Sequence, residues 1–127
     1  MLKIKIIRLL VLSVFIVAGG RSYAQQSLIH SDVYADYKKA FELYENKMYS
    51  TARELFDQVA MIIPEGTEDE IFNYVSNSKY YSARCAIELR NPDAEKQMLE
   101  FIYNNPGNVL IGSAYNELGK IYYNKKE

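Results

Sequence analysis

The chain has no tryptophan, one cysteine, one histidine and three prolines in 127 residues. A single thiol excludes an internal disulfide, so a fold in an oxidising compartment has to be held by packing alone. One Cys and one His also exclude the paired Cys and His ligands of a zinc site and any Cys–His nucleophile pair that uses more than these two residues. No sign of charge dominates: 15 basic residues stand against 16 acidic ones, a formal −1, which gives no whole-chain attraction to nucleic acid or to acidic lipid. What is plentiful is apolar and aromatic matter, 49% hydrophobic with 12 tyrosines, enough for one small core and too much for a disordered chain.

The long apolar run lies at the start. Lys3, Lys5 and Arg8 precede a stretch over residues 9–18 that is apolar but for Ser13, Gly19-Gly20 breaks it, and Ser22-Tyr23-Ala24 has the small-x-small form of a cleavage site. This is the pattern of an export signal, expected over residues 1–24, with a short mature segment 25–31 ahead of the folded domain. The run over residues 6–18 is too short to span a bilayer, which takes roughly 20 residues. No stable membrane insertion is therefore expected once the signal is removed. No Cys follows the run, so no bacterial lipid anchor is implied. Loss of Lys3, Lys5, Arg8 and Arg21 from 15 basic residues leaves 11 against 16 acidic ones, a mildly acidic exported chain.

From residue 25 onward the apolar spacing is helical, and no alternating stretch argues for a strand. Five helices are expected. The first covers about 32–47 with Ser31 as its cap, and the second about 51–63, stopped by Pro64. The third covers about 67–90 and opens on Thr67-Glu68-Asp69-Glu70, in which Glu70 can close a capping box. The fourth begins at Asn91-Pro92 and ends near Asn104, and the fifth covers about 109–124. The acids at 68–70 suit a helix N-terminus better than a metal, because consecutive helical residues point in different directions. Cys85, in the apolar stretch 80–89, is expected to be a buried small hydrophobe.

The hairpins repeat. Ala52-x3-Phe56 followed by Pro64 returns 42 residues later as Ala94-x3-Met98 followed by Pro106, and Tyr115-x2-Leu118-Gly119-x2-Tyr122 supplies the front half of the same unit. On these residues the chain resembles the tetratricopeptide repeat, a pattern of large aromatic, Leu-Gly, Tyr, then Ala, aromatic and Pro over two helices. The resemblance implies an all-α domain over 32–127, antiparallel hairpins stacked as a right-handed solenoid of about two and a half repeats, at 32–64, 67–106 and an incomplete 109–127. It places Ala40, Ala83 and Gly119 at the small position of each first helix, with the second repeat's turn one residue shorter. A glycine in mid-helix costs about 1 kcal/mol against alanine, so Gly119 is expected at a close helix contact. Asp36 and Lys39 depart from the pattern, which expects apolar residues there, and mark the first helix as partly a solvent-facing cap. The offset of 42 exceeds the usual spacing of about 34, so roughly two helical turns, about 12 Å, are expected to project at the start of the third helix. The fifth helix is left with an apolar face, Ile121 and Tyr122 on it, and no hairpin mate. Either that helix serves as the closing cap, with a homo-oligomer contact as one use of its face, or it marks the front of a longer array.

No residue pattern points to catalysis. HExxH, CxxC, GxSxG and the phosphate-binding glycine loop are all missing, and His30 stands beside the expected mature terminus, so the chain reads as a non-enzyme with no cofactor and no metal. The surface of interest is an aromatic stripe: Tyr34, Tyr37, Phe41 and Tyr44, spaced three, four and three, share one helix face. In the family that face lines a concave groove for peptides, and the resemblance adds Tyr80, Arg84, Asn116, Lys120 and Tyr123. A stripe with this spacing serves equally as core, and both readings stay open here. Tyr37 and Phe41 hold places where Lys and Asn would be needed to clamp an acidic C-terminal tail, which argues against that specificity. The expectation is a periplasmic scaffold or adaptor of a Gram-negative envelope, binding a protein or peptide partner and no nucleic acid. Two other readings are a glycan-binding nutrient-capture protein, disfavoured by the lack of Trp, and the docking arm of a longer enzyme.

Overall fold

The computed structural model describes residues 32–64 and 69–125, which from Val33 onward belong to one compact unit. Among the described residues every regular element is an α-helix: α1 (residues 32–45), α2 (Tyr49–Ala60), α3 (Asp69–Glu88), α4 (Ala94–Asn104) and α5 (Ile111–Asn124). None of these helices is long and apolar enough to cross a membrane. The expected signal segment, Ser31, His30 and the Thr67-Glu68 half of the capping box lie outside the described residues; Asp69 and Glu70 do occupy the first turn of α3, where carboxylates complement the helix dipole.

Each helix is amphipathic, and the same spacing buries the same kinds of residue. In α2 the buried set is Ala52, Phe56 and Val59; in α4 it is Ala94, Met98 and Phe101, each 42 residues on. Alanine at the first place lets each helix lie close to the one before it, and the larger residues fill the space that opens beyond. The resulting core has three patches. Val33, Val59, Ile71 and Val75 close one end of α1, α2 and α3. Ala40, Ala52, Phe56 and Cys85 form the middle. Tyr80, Ala83, Met98, Phe101, Ala114 and Leu118 join α3 to α4 and α5. Cys85 is fully buried as expected, and burial pushes its thiol up to about 12, so it stays protonated and unreactive.

Two helices end in the same way. Lys47 and Arg90 both take positive φ, 60° and 55°. After α1, Lys47 N donates to Tyr44 O and Met48 N to Leu43 O; after α3, Arg90 N donates to Ile87 O and Asn91 N to Ala86 O. Both are Schellman turns with a basic residue at the left-handed position. Lys47 and Arg90 stand 43 apart, as do Ala40 and Ala83, against 42 for the second helices. The one-residue shortening lies in the turn that follows Arg90.

Four expectations need correction. Pro64 does not stop α2, which ends at Ala60 with Met61 as its cap residue. The fourth helix does not open on Pro92: Asn91 to Ala94 form a turn, with Ala94 N donating to Asn91 O, and Asp93 is the N-cap. Asp93 is diverted from capping because its carboxylate accepts from Arg53 at 2.8 Å and from Gln97 at 2.7 Å. The early turns of α3 do not project, since Ile71 and Val75 are buried against Val33 and Val59. Finally, Gly119 is not at a close contact among the described residues: a Cβ placed on it would meet nothing within 4 Å. Its counterparts Ala40 and Ala83 are buried by the helix that follows each, and among the described residues no helix follows α5. Asp36 and Lys39 are exposed, in line with a solvent-facing side of α1.

Candidate aromatic face and its ionic end

The stripe on α1 lies against a second stripe on α3. Tyr74, Asn77, Tyr81 and Arg84 repeat the three, four, three spacing of Tyr34, Tyr37, Phe41 and Tyr44, and the two rows meet rung by rung. Tyr74 packs on Tyr34 and Tyr37 with centroids 5.6 and 5.1 Å apart, and Tyr81 packs on Phe41 and Tyr44 at 5.2 and 5.3 Å. At the last rung the guanidinium of Arg84 sits 5.9 Å from the centre of the Tyr44 ring. Tyr81 is the hub, because it also stacks on Phe56 of α2 at 5.4 Å and meets Tyr80 at 5.1 Å. These are the edge-on and offset contacts that aromatic quadrupoles favour.

The α1 stripe is therefore both packed and accessible. Tyr34 keeps 47% of its surface, while Tyr37, Phe41 and Tyr44 are half-buried, with one side in the ladder and the rest toward solvent. Burial is the main reason that the Tyr37 and Tyr44 hydroxyls are pushed up to about 12; the Asn77 side chain partly offsets this for Tyr37, and the Arg84 charge does so for Tyr44. Both phenols thus stay neutral and keep a proton to donate.

Arg84 heads an ionic cluster that ties α3 to α5. It donates to Glu117 Oε1 at 3.0 Å and lies 3.6 Å from Glu88, and Lys120 reaches the same Glu117 oxygen at 2.9 Å. Burial opposes the guanidinium charge, but the Tyr80 hydroxyl and the Tyr44 and Glu117 groups outweigh it, so the proton is held above the ordinary arginine range. Glu117 is the buried member, its side chain only 8% exposed. A second tie comes from the loop between α4 and α5. Asn108 accepts from Leu110 N through Oδ1 and donates through Nδ2 to Ser76 Oγ and Asn77 Oδ1. Asn77 stands beside Tyr37, so this loop reaches the aromatic face through one side chain.

The remaining expected residues divide. Tyr80 is 3% exposed and packs on Phe101, so its ring belongs to the core and its hydroxyl serves Arg84. Asn116, Lys120 and Tyr123 are exposed on α5, with Lys120 engaged by Glu117. Sequence reasoning missed Tyr74 and Tyr81, although their spacing with Asn77 and Arg84 was there to be read. It took Tyr80, which lies one residue and 100° round the helix from Tyr81.

Elsewhere, an open cleft of about 280 Å³ between α2, α3 and α4 has Asp57 and Ser82 on its wall, and the Ser82 hydroxyl donates to the Asp57 carboxylate. Among the described residues no group of three or more His, Cys, Asp or Glu side chains is placed to hold a metal ion. Comparison with protein-family models, curated proteins and solved structures gives no significant match to the chain.

Proposed function

We propose that the chain is a non-catalytic protein-interaction scaffold of the bacterial envelope, built as a tetratricopeptide-like solenoid of about two and a half repeats, which holds an extended peptide or a partner helix on its aromatic face. The observation that carries this reading is the half-open state of the ladder: Tyr34, Tyr37 and Tyr44 present ring surface and hydroxyl groups on a face braced from behind by Tyr74 and Tyr81. Rigid rings with one polar tip lose little conformational entropy on binding and can donate to a peptide carbonyl. The solenoid reading draws support from the offsets of 42 and 43 residues and from the paired Schellman turns. The envelope location rests on the export-signal pattern expected over residues 1–24.

The test is retention of envelope proteins on the immobilised chain, compared with a Tyr34→Ser/Tyr44→Phe variant. Those changes remove exposed ring and hydroxyl while leaving the Tyr81 contacts in place, so melting should stay within a few degrees. A protein held by the wild type and lost from the variant is the expected result. Retention that the variant does not alter would remove the site from this face, and a folded bait that holds nothing would remove the adaptor reading.

A further inference from the structure

The outer face of α5 carries a feature that the described chain uses only in part, through a hydrogen bond from the Tyr122 hydroxyl to Glu95 of α4. Gly112, Tyr115, Gly119 and Tyr122 are spaced three, four and three, which aligns them in one stripe of the helix. Tyr115 is 60% exposed and Tyr122 43%, and a Cβ built on either glycine meets nothing within 4 Å. Gly119 in mid-helix costs about 1 kcal/mol against alanine, and among the described residues no contact offsets that cost. In the other two front helices the places equivalent to Gly112 and Gly119 are covered, while Asp36 and Lys79, the counterparts of Tyr115, are exposed. Val33 and Ala40 of α1 are buried with residues of α2, and Ala83 of α3 is buried against Met98 and Phe101 of α4. Ser76 and Ala86, the α3 counterparts of Gly112 and Tyr122, are buried as well. The position that α2 takes on α1, and α4 on α3, is open on α5.

We propose that this position is filled by α5 of a second copy of the chain, running antiparallel about a two-fold axis at the level of residue 117. The argument is self-complementarity. When the stripe is laid against itself in reverse about that axis, Tyr115 faces the partner's Gly119 and Gly112 faces the partner's Tyr122, and the reciprocal pairs follow by symmetry. Each ring enters a gap that only glycine leaves, and the two glycines allow the helix axes to approach to about 8 Å, the close end of the usual range. Any other residue at 112 or 119 would place a side chain where a ring has to lie. The charges permit the pairing: the stripe carries no carboxylate, and Glu117, about half a turn round the helix from it, is buried and held by Arg84 and Lys120. Tyr115 and Tyr122 together expose roughly 200 Å² per copy, well under the roughly 800 Å² per partner of a standard stable interface. The dimer is accordingly weak and concentration-dependent. The seam shares no residue with the aromatic ladder, and the proposal is independent of that reading.

Sedimentation velocity on the purified chain over a concentration series is the first measurement. The weight-average mass rises from that of one 14.7 kDa chain toward twice that value as concentration increases. Gly119→Gln separates seam from fold, because in a single copy the new side chain meets nothing and improves the helix. That variant stays monomeric at every concentration while melting several degrees higher in dilute solution. For the register, Tyr115→Cys and Gly119→Cys proteins are oxidised separately and mixed; the buried native thiol of Cys85 does not compete. The mixture gives several-fold more cross-linked dimer than either protein alone. A wild type that is monomeric throughout, as expected if chain beyond residue 127 or an unrelated partner covers α5, overturns the proposal. Association that survives Gly119→Gln, or cross-linking no greater in the mixture, does so too.

Discussion

Replacing Arg84 with methionine keeps most of the aliphatic stem and removes the one cation that joins α3, α5 and the aromatic ladder. The substitution deletes the 3.0 Å bond to Glu117, the 3.6 Å pairing with Glu88 and the stacking on Tyr44. It leaves the Glu117 carboxylate buried, with only Lys120 beside it, and that lysine side chain is 59% exposed. Stripping one partner from a fully buried ion pair costs about 3–5 kcal/mol. Here Arg84 keeps 22% of its side-chain surface and Lys120 remains, which brings the expected cost to about 2–3 kcal/mol, the Tyr44 stacking included. Against a total stability of about 5–15 kcal/mol this is a large fraction. Urea unfolding at neutral pH, followed by helical circular dichroism, reads the loss as a lower midpoint at unchanged slope. Glu117→Leu added to Arg84→Met removes the stranded carboxylate and should restore at least about 1 kcal/mol. The reasoning fails if Arg84→Met costs under about 1 kcal/mol, or if the two substitutions simply add.

Two further outcomes follow from the ladder. Tyr81→Ala should cost about 3 kcal/mol by opening a space between Phe41, Tyr44 and Phe56, whereas Tyr81→Phe, which keeps every ring contact, should cost under about 1 kcal/mol in thermal melts. Tyr37 and Tyr44 hold their protons to about 12 in the folded chain against an ordinary value near 10. Their contribution to stability is complete below pH 10 and is lost as pH rises from there through 12, so phenolate absorbance should grow together with loss of helix. A Tyr37→Phe/Tyr44→Phe variant should move that transition to higher pH, and ionisation that leaves the helical signal intact would contradict the assignment.

Much of the fold could be read from periodicity, and the misses have physical reasons. The buried pairs Ala52/Phe56 and Ala94/Met98 were legible because helical spacing and the offset of 42 act on residues local in sequence. The start of α4 was not, because Asp93 is claimed by Arg53, a residue 40 positions away, and proline chemistry alone pointed to Asn91. Gly119 was read as a close contact although the same reading left the fifth helix without a hairpin mate, and without a following helix among the described residues a Cβ there meets nothing within 4 Å. For the candidate site, one row of the ladder was found and its mate was not. The middle helix has neighbours on several sides, so α3 turns Tyr74 and Tyr81 toward α1 and Tyr80 toward α4, and repeat register alone picks the wrong tyrosine.

The position of α3 also sets where the molecule opens. It touches α1 and α2 through Tyr81, α4 through Tyr80 and α5 through Arg84, whereas α5 is tied down by its packing on α4, the Glu117 cluster and the Asn108 loop. Amide exchange should therefore be graded, with the amides of α3 exchanging only through global unfolding and those of α5 released by a local opening of lower free energy. Since the ties run between neighbours in sequence, little loop entropy is lost before they form, and the chain should refold fast.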